Sequence, residues 1–462
     1  MRWGLKSEGR KASGTSRRLA KDEVTGLLTY PAFLHECSDA LAAYVDPGTP
    51  AEPAVLLVDL EGVTAATESE HNAATDEVVS LMAGRIAREV GSLGVLARMS
   101  DQQVGVLFHH LPAPAVALDL AYRIVAAVSS PAALASERRV QLSASCGLVT
   151  RDSVGRRATA PDLLRGAGLA VREARGSGRN RIEVCTPDLI AVADETLAIG
   201  KDLRRVLQDK GLRVCYQPLV DLTDGTVLGF EALVRWSHPV HGHASPSRFV
   251  PVAEQFGLIS ELGWMVLSTA SAQVHQWSTT FGIPLDAHVN VSGLDLAKDT
   301  FVGMVSECLE SSGLPAARLV LEVTEAAVEP EIETARLRFD ALHGLGVRVA
   351  LDDFGTGRSA LAYLQSLAVD ILKVDRSYLD SIGEDQGGSS RADDLLRGVI
   401  GLGQAFGMDV YGEGIEDEPQ RMRLRRNGCE IGQGYLFARP LPAEDAAALL
   451  RAQTTPVGLT RR

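Results

Sequence analysis

The second half of the chain repeats one pattern: a short, continuous apolar segment ends in or near a polar residue, and an amphipathic stretch such as LISELGWMVLSTASAQVHQW follows. Buried parallel strands read as continuous apolar runs, and helices between them return the chain so that successive strands point the same way. The pattern therefore predicts a closed, TIM-like β/α barrel. The polar residues that accompany the apolar segments are Gln217, Glu231, Arg235, Asn290, Glu322, Glu325, Asp352, Asp353, Lys373, Glu413 and Gln433.

Functional side chains of such barrels come from the carboxyl ends of several strands. The pattern should therefore gather one group at one mouth, with Lys373 as its cation: Glu231, Asn290, Glu322, Asp352, Asp353 and Glu413. Carboxylates cannot share a desolvated pocket unpaired, because like charges raise one another's pKa and destabilise the fold. Oxygen ligands without histidine or cysteine favour Mg²⁺ or Mn²⁺ over Zn²⁺. Two such ions about 3.5–4 Å apart would suit in-line attack of water on a phosphodiester.

The neighbouring residues Asp352 and Asp353 pose a geometric problem, because successive strand residues face opposite sides. Both can reach the same site only if the strand ends there and turns. The following Phe-Gly-Thr-Gly sequence permits such a turn.

Composition limits the classes of partner. A formal net charge of -13 argues against a protein that binds DNA or an anionic membrane as its main role. Six widely spaced cysteines without a CxxC pair, and the lack of a signal sequence, predict reduced thiols in the cytoplasm. No apolar run approaches the length of about 20 residues that a membrane span requires.

The first half alternates strand and helix patterns and predicts an α/β domain. Before it stands a basic, Gly- and Ser-bearing stretch without periodicity, which predicts a flexible tail. A Thr-Pro break opens the segment that we interpret as a linker. The expected division is a tail at 1–21, a first domain at 22–186, a linker at 187–196, a barrel at 197–452 and a tail at 453–462.

With these motifs assembled, the second domain resembles the EAL family of cyclic di-GMP phosphodiesterases. The signature is Glu231-Ala-Leu-Val-Arg235, and YQPLV, VNVS, LEVTE, DDFGTG, LKVD, GEGIE and GQGY follow in the family order. The EAL tripeptide alone would carry little weight, but this ordered set is highly specific.

The resemblance implies a role for each polar residue. Metal ligands would be Glu231, Asn290, Glu322 and Asp352, with Asp353 at a second ion. Lys373 and Glu413 would hold or activate the attacking water, while Gln217, Arg235 and Gln433 would assist the substrate or the site geometry. Glu325 would anchor the loop after Asp353, which couples metal binding to dimer contacts in this family, and a homodimer through this domain is expected.

Three positions depart from the usual family pattern. Arg358 stands where an aromatic residue is common, Gly412 replaces an alanine and Glu430 replaces an aspartate. None of these changes removes an implied ligand. Arg358 lies in the regulatory loop, so it could alter dimerisation or the basal rate.

The first domain resembles the GGDEF family of diguanylate cyclases through DEVTGL, LLVDLEGV and EARGSGRN. The resemblance implies a central, mostly antiparallel sheet with helices. In that alignment Ser100-Asp101-Gln102-Gln103-Val104 occupies the position of GGDEF itself, so two amides replace both acids. An amide is a weaker Mg²⁺ ligand than a carboxylate and cannot act as a base. Asp59 survives, but one carboxylate does not make a two-metal site. The expectation is a degenerate domain without cyclase activity, which serves regulation or dimerisation and leaves GTP or a protein partner open.

Two functions follow from the sequence. The first is metal-dependent hydrolysis of cyclic di-GMP to linear pGpG by the barrel. The alternative is a receptor that binds cyclic di-GMP without turnover and signals through protein contacts. Loss of a metal or base residue would favour the receptor, and none is lost, so we expect the enzyme.

Overall fold

The computed structural model describes residues 20–44, 52–63, 72–111, 113–135, 139–155, 157–238, 242–354, 366–380 and 391–454. Contacts between Cα atoms divide the chain into two compact units, Met1–Leu197 and Ala198–Arg462. Each unit is described separately below. The predicted N-terminal tail and Arg358 fall outside the described residues, apart from residues 20 and 21.

The first unit is built on a sheet of six strands in the order β1-β3-β4-β2-β7-β8. Its inner pairs β3–β4, β4–β2 and β2–β7 are antiparallel, while the two outer pairs are parallel. A separate two-stranded ribbon pairs β5 with β6. The strands are β1 (Leu28–Thr29), β2 (Glu52–Glu61), β3 (Val95–Arg98), β4 (Gln103–Leu111), β5 (Ala132–Ala133), β6 (Arg139–Val140), β7 (Ser143–Thr150) and β8 (Ile182–Val184).

Helices cover both faces of this sheet, because β2 is buried along nearly its whole length and needs apolar partners on each side. One core forms beneath α2 and α3, and the other beneath α1 and α5. The helices are α1 (Tyr30–Ala43), α2 (Asn72–Val90), α3 (Pro114–Ser129), α4 (Arg151–Val154) and α5 (Ala160–Gly176).

The segment predicted as a linker is helical. Helix α6 (Pro187–Gln208) begins at the Thr-Pro pair, where the Thr186 hydroxyl accepts a hydrogen bond from the Leu189 amide at 3.2 Å. Threonine before a proline at the first helical position is a common helix start. The Thr-Pro break therefore marks the beginning of a helix rather than an irregular connector.

The second unit is a closed barrel of eight strands, in agreement with the predicted TIM-like architecture. Closure comes from strand β9, which pairs with the second strand on one side and with the last on the other. A short strand, β11 (Gly242–Ala244), extends β10 outside the ring. The barrel strands are β9 (Arg213–Asp221), β10 (Val227–His238), β12 (Asp286–Asn290), β13 (Leu319–Thr324), β14 (Arg348–Phe354), β15 (Ile371–Val374), β16 (Asp409–Gly412) and β17 (Ile431–Gly432).

Strand β9 differs from the all-parallel expectation, because it runs antiparallel to both neighbours. Only residues 222–226 connect it to β10, and a parallel crossover needs a dozen or more residues. The Asp221 carboxylate accepts from the Thr223 amide at 2.6 Å and Gly225 has φ of +79°, so the chain reverses in a tight hairpin. The remaining seven strands are parallel to one another.

Helices surround the barrel and bury their apolar faces against its outer surface. Barrel strands and helices share one extended core, which includes Phe230, Trp277 and Phe339. The helices are α7 (Pro246–Gln255), α8 (Ile259–Phe281), α9 (Gly293–Leu296), α10 (Phe301–Ser312), α11 (Glu325–Val328), α12 (Ile332–Gly344), α13 (Ser377–Asp380), α14 (Arg391–Ala405), α15 (Glu418–Arg426) and α16 (Ala443–Thr454). Two 3₁₀ turns lie at Ala316–Arg318 and Glu329–Glu331.

Among the described residues, no helix combines the length and the apolar character that crossing a membrane would require. All six cysteines lie in described ranges and are free thiols.

Helix α12 offers a matched test of the barrel core. Phe339 is fully buried in this core, whereas Leu337 on the same helix is 56 % exposed. We expect Phe339→Ala to lower the free energy of barrel unfolding by about 3–5 kcal/mol, because it removes a buried ring and leaves a cavity. Leu337→Ala should change it by less than about 0.5 kcal/mol. Urea unfolding followed by tryptophan fluorescence measures both, since Trp236, Trp264 and Trp277 belong to the barrel unit. Equal effects of the two substitutions would contradict the assigned core.

Candidate functional site

The interior of the barrel holds one fully buried ammonium group surrounded by carboxylates. Lys373 lies on β15, and its Nζ is 2.5 Å from Glu413 Oε1 and 2.8 Å from Glu322 Oε2. The carboxylates of Asp352 and Glu231 follow at 3.7 and 3.9 Å. These five residues come from five different strands or strand ends, as expected for the carboxyl-terminal mouth of a barrel.

Two amide side chains hold the Glu231 carboxylate. Asn290 Nδ2 donates to Glu231 Oε1 at 2.7 Å, and Gln433 Nε2 donates to Glu231 Oε2 at 2.6 Å. The Gln433 amide also donates to Glu413 Oε1 at 3.1 Å, so it bridges two carboxylates. Because each amide gives its nitrogen to a carboxylate, its carbonyl oxygen is left as the atom that could accept from a ligand or hold a cation.

The two adjacent aspartates reach the same mouth through a local irregularity in β14. Asp353 has φ of +54°, and the pairing of β14 with β15 shifts register between Leu351 and Phe354. A bulge of this kind inserts one residue and re-aims the side chains. The turn therefore falls at Asp353 itself, before the predicted Phe-Gly-Thr-Gly sequence, and Phe354 is still part of the strand. The Asp352 carboxylate accepts from the Asp353 amide at 3.0 Å and supports this conformation.

The structure brings the carboxylates Asp352, Asp353 and Glu413 close enough to share a cation, with one oxygen of each within 4.8 Å of the others. The resemblance assigned Glu413 to the attacking water rather than to a metal. Its position beside both aspartates makes it available to either role.

Two of the residues expected to assist the substrate lie apart from the ammonium group. Gln217 is at the middle of the antiparallel strand β9, opposite Glu231 in the register, and its amide donates to the Ala438 carbonyl at 3.3 Å. Arg235 lies four residues beyond Glu231 on β10, is half-buried, and donates to the Val234 carbonyl at 2.8 Å.

Glu325 begins helix α11 directly after β13 and is buried. Together with burial, its charge raises the pKa of Tyr378, so the two side chains are near each other. The loop that Glu325 was expected to anchor spans residues outside the described ranges, and the anchoring role therefore stays a prediction.

The electrostatics of the site reflect an excess of negative charge. Burial raises the pKa values of Glu322 and Glu413 well above the usual value of a glutamate, although the positive charge of Lys373 acts to lower them. Burial would lower the pKa of Lys373, but the surrounding carboxylates reverse the effect and hold it well above its usual value. For Glu231, burial opposes ionisation, yet Lys373 and the two amide donors outweigh it and leave its pKa lowered. Burial and the neighbouring Asp352 raise the pKa of Asp353.

The donor set fits two divalent cations. Five carboxylates and one ammonium would carry four negative charges if all were ionised, and two divalent ions would neutralise them. Among the described residues of the site, the buried Gln433 Oε1 has no hydrogen-bond partner. Unsatisfied buried polar atoms are rare in native proteins and point to an ion or ligand. Hard oxygen donors favour Mg²⁺ or Mn²⁺.

A cavity of about 770 Å³ opens beside this cluster. Glu231, Asn290 and Asp353 form one side of it, and apolar side chains of α7 and α8, such as Val250 and Ile259, form the other. Its size falls within the range of about 300–1,000 Å³ typical of small-molecule sites. The cluster and the cavity together provide a polar reacting centre with an apolar surface next to it.

Sequence reasoning missed one residue of this interior. His288 on β12 is 1 % exposed, and its Nδ1 is 2.8 Å from Glu322 Oε1. A signal was available, because His288 precedes Asn290 by two residues and successive alternate residues of a strand share a face. It was overlooked because it stands inside an apolar strand segment rather than at its end.

The first unit places its surviving acid, Asp59, in a different environment. Asp59 is buried on β2 opposite Gln103, whose amide donates to Asp59 Oδ1 at 2.8 Å. Arg175 Nη1 lies 3.1 Å from Asp59 Oδ2. The carboxylate thus has an internal partner on each oxygen.

The tip between β3 and β4 contains the remaining substituted positions. Asp101 pairs with Arg98 at 2.9 Å, and Arg98 also contacts the carboxylates of Asp22 and Asp76 at 3.2 and 3.4 Å. The Leu60 amide donates to the Gln102 carbonyl at 2.7 Å. These contacts fix the hairpin against the neighbouring strand through protein groups alone.

The second unit is a closed β/α barrel with an acidic, lysine-centred mouth, and comparison with known proteins identifies its family. Residues 201–440 match the EAL domain, and residues 19–181 match the family described as diguanylate cyclase, GGDEF domain. The chain belongs to the EAL family and carries a GGDEF domain in tandem with its EAL domain.

Relatives share this organisation at moderate identity. An uncharacterized protein of Mycobacterium tuberculosis, Rv1354c, is 33% identical over 94% of this chain and 68% of its own length. The cyclic di-GMP phosphodiesterase NbdA of Pseudomonas aeruginosa is 35% identical over 86% of this chain, which spans half of that protein. A solved structure titled "PaMucR Phosphodiesterase, c-di-GMP complex" superposes with a TM-score of 0.51 at 35% identity, and the match covers 54% of this chain and 99% of that one. MucR is a Pseudomonas aeruginosa protein.

The charge excess predicts a pH dependence of the metal-free protein. Glu322 and Glu413 have folded pKa values above the ordinary 4.5, so the folded state retains protons that the unfolded state releases. Their contribution to stability is present below pH 4.5 and is lost as the pH rises through the folded pKa values. In EDTA, the melting temperature should therefore fall as the pH rises from about 5 to about 8.

The control is Glu322→Gln, which removes one of these titrations and should flatten the slope. Saturating Mg²⁺ should flatten it in the native protein, because Mg²⁺ binds the ionised carboxylates of the folded state and therefore adds more stability as the pH rises. Differential scanning calorimetry across this pH range measures all three conditions. Identical slopes for the native protein and Glu322→Gln in EDTA would contradict the assigned charge excess.

Proposed function

We propose that the barrel is a metal-dependent phosphodiesterase that hydrolyses cyclic di-GMP to linear pGpG. The observation that carries the proposal is the cluster of five carboxylates around one buried ammonium at the mouth, beside a cavity large enough for a nucleotide ligand. NbdA is a cyclic di-GMP phosphodiesterase and the MucR phosphodiesterase structure is a complex with c-di-GMP, and both relatives support this substrate.

In the proposed reaction, water adds to the phosphorus of one phosphodiester and the bond from phosphorus to the 3′ oxygen breaks. The water supplies the hydroxyl of the new 5′ phosphate, and its proton goes to the departing 3′ oxygen. Glu231, Asn290, Glu322 and Asp352 would hold one Mg²⁺ or Mn²⁺, with Asp353 at a second. Two such ions, when bound, would stabilise the charge of the reacting phosphate and lower the pKa of water.

The chain's own groups orient the water. Lys373 and Glu413 are in contact at 2.5 Å, so an ammonium donor and a carboxylate acceptor stand side by side where the water would bind. Burial raises the pKa of Glu413, which makes its carboxylate a stronger base than an exposed glutamate. Gln433 bridges Glu231 and Glu413 and keeps the ligand and the base in a fixed relation.

Gln217 and Arg235 are proposed to assist the substrate rather than the reacting water. Arg235 is half-buried and cationic, and it lies on the same strand and strand face as Glu231. A guanidinium group is a suitable partner for a phosphate of the cyclic dinucleotide.

The GGDEF domain is proposed to be inactive as a cyclase. Gln102 and Gln103 replace both acids of the motif, and the remaining Asp59 is already paired with Gln103 and Arg175. A carboxylate neutralised by a guanidinium and an amide has little attraction for Mg²⁺. Dimerisation through the EAL domain, binding of GTP or a protein partner at the GGDEF domain, and a cytoplasmic location stay predictions.

Hydrolysis can be tested with Glu231→Gln, which keeps the volume of the side chain and removes its charge. Native protein with cyclic di-GMP and Mg²⁺ or Mn²⁺ should produce pGpG on chromatography. The variant should be slower by more than about 100-fold, because loss of groups that merely orient metal ligands already costs about 10–100-fold.

The matched control is Asp101→Ala, which removes an exposed carboxylate in the other unit and should leave the rate of pGpG formation unchanged. Normal turnover by Glu231→Gln would refute the assignment of the barrel site. Binding of cyclic di-GMP by the native protein without any pGpG would favour the receptor function.

A test for the absence of cyclase activity needs a protein that does not hydrolyse cyclic di-GMP, the product of a cyclase. Glu231→Gln incubated with GTP and Mg²⁺ should form no cyclic di-GMP, because the hairpin lacks both acidic ligands. Chromatography with added cyclic di-GMP as a recovery standard provides the measurement. Accumulation of cyclic di-GMP above the background without protein would overturn the proposed role of this domain.

A further inference from the structure

We propose that His288 is a positioning residue that fixes the orientation of Glu322 as a metal ligand. The inference rests on the proposed function, in which Glu322 is a metal ligand. The contact between His288 and Glu322 is itself a feature of the barrel interior. His288 has no part in the roles that the family motifs assign to the other residues.

Strand register places His288 deeper in the barrel than Asn290, the last residue of the same strand. It lies on β12 beside Glu231 of β10 and Val320 of β13, and it is two residues before Asn290. Alternate residues of a strand share a face, so His288 and Asn290 both face the barrel interior. His288 is therefore one layer deeper than the mouth.

The imidazole contacts the Glu322 oxygen that Lys373 does not contact. Glu322 Oε1 is 2.8 Å from His288 Nδ1, and Glu322 Oε2 is 2.8 Å from Lys373 Nζ. As a metal ligand Glu322 would be ionised and would have no hydrogen to give, so the hydrogen in the first contact would then belong to Nδ1. His288 thus holds Glu322 Oε1, while Oε2 remains beside the Lys373 ammonium and the other carboxylates.

Burial makes this contact specific. His288 and Glu322 are each 1 % exposed, so water does not compete for Oε1. The Tyr411 ring lies 5.8 Å from the imidazole centroid and limits its rotation.

A fixed carboxylate matters for a cation site because each ligand must hold its position while the charges around it change. Groups that hydrogen-bond to metal ligands are worth about 10–100-fold in metal affinity. Removing the His288 donor should free the Glu322 side chain to turn toward Lys373 with both oxygens.

The test compares three substitutions in the full-length protein. In His288→Asn the amide nitrogen is as many bonds from Cα as Nδ1 is, so it can still donate to Glu322. In His288→Gln the amide is one bond farther, and His288→Leu fills the space without a donor. Manganese affinity, read from the electron paramagnetic resonance signal of free Mn²⁺, is the readout and does not depend on turnover.

We expect His288→Leu and His288→Gln to weaken Mn²⁺ binding by about 10–100-fold and His288→Asn to recover most of the loss. Melting in EDTA checks that each variant folds, and the Asn and Gln pair remains decisive if the Leu variant does not. Native affinity in His288→Gln, or equal weakening in the Asn and Gln variants, would overturn the inference.

The same measurements separate this inference from the proposed function. Weaker Mn²⁺ binding in His288→Gln than in His288→Asn, together with no pGpG from the native protein, would support the positioning role and reject the phosphodiesterase. Formation of pGpG by the native protein, with unchanged Mn²⁺ affinity in all three variants, would support the phosphodiesterase and reject the positioning role. A native protein that binds no Mn²⁺ would reject the positioning role along with the metal ligands.

Discussion

The ion contacts of Lys373 are the constraint on which the barrel site depends. A fully buried ammonium is tolerated only when carboxylates surround it, and here four of them lie within 3.9 Å. The same carboxylates then exceed what one cation can neutralise. The site is therefore electrostatically incomplete in itself, and the raised pKa values of Glu322 and Glu413 express that incompleteness.

The fold supplies this arrangement through strand order alone. Parallel strands end at one mouth, so short apolar segments that finish in acids bring those acids together without any contact between their sequences. The closing strand β9 departs from the rule because its hairpin to β10 is too short for a crossover. That departure places Gln217 at mid-strand beside Glu231, whereas Asn290 and Glu413 lie at or directly after the ends of their strands.

The sequence predicted the barrel, the α/β first domain and the members of the acidic cluster. The spacing of apolar residues and the polar residue in or near the end of each apolar segment can both be read directly from the sequence. It could not predict local backbone geometry or partners across strands. The turn at Asp353 depends on a bulge between β14 and β15, and the contact of His288 with Glu322 depends on register between β12 and β13. The helix that begins at Pro187 was interpreted as a linker because the Thr-Pro pair is both a helix start and a chain break in sequence terms.

The two domains illustrate how a buried carboxylate can be satisfied in different ways. In the first unit, Asp59 receives an amide from Gln103 and a guanidinium from Arg175, so the protein itself completes the charge. In the barrel, amides and one ammonium leave a net negative cluster that external cations would complete. A glutamate at position 103 would place a second carboxylate opposite Asp59, and the like charges would again require a cation. The amide of Gln103 at that position instead supplies a hydrogen-bond donor to the Asp59 carboxylate.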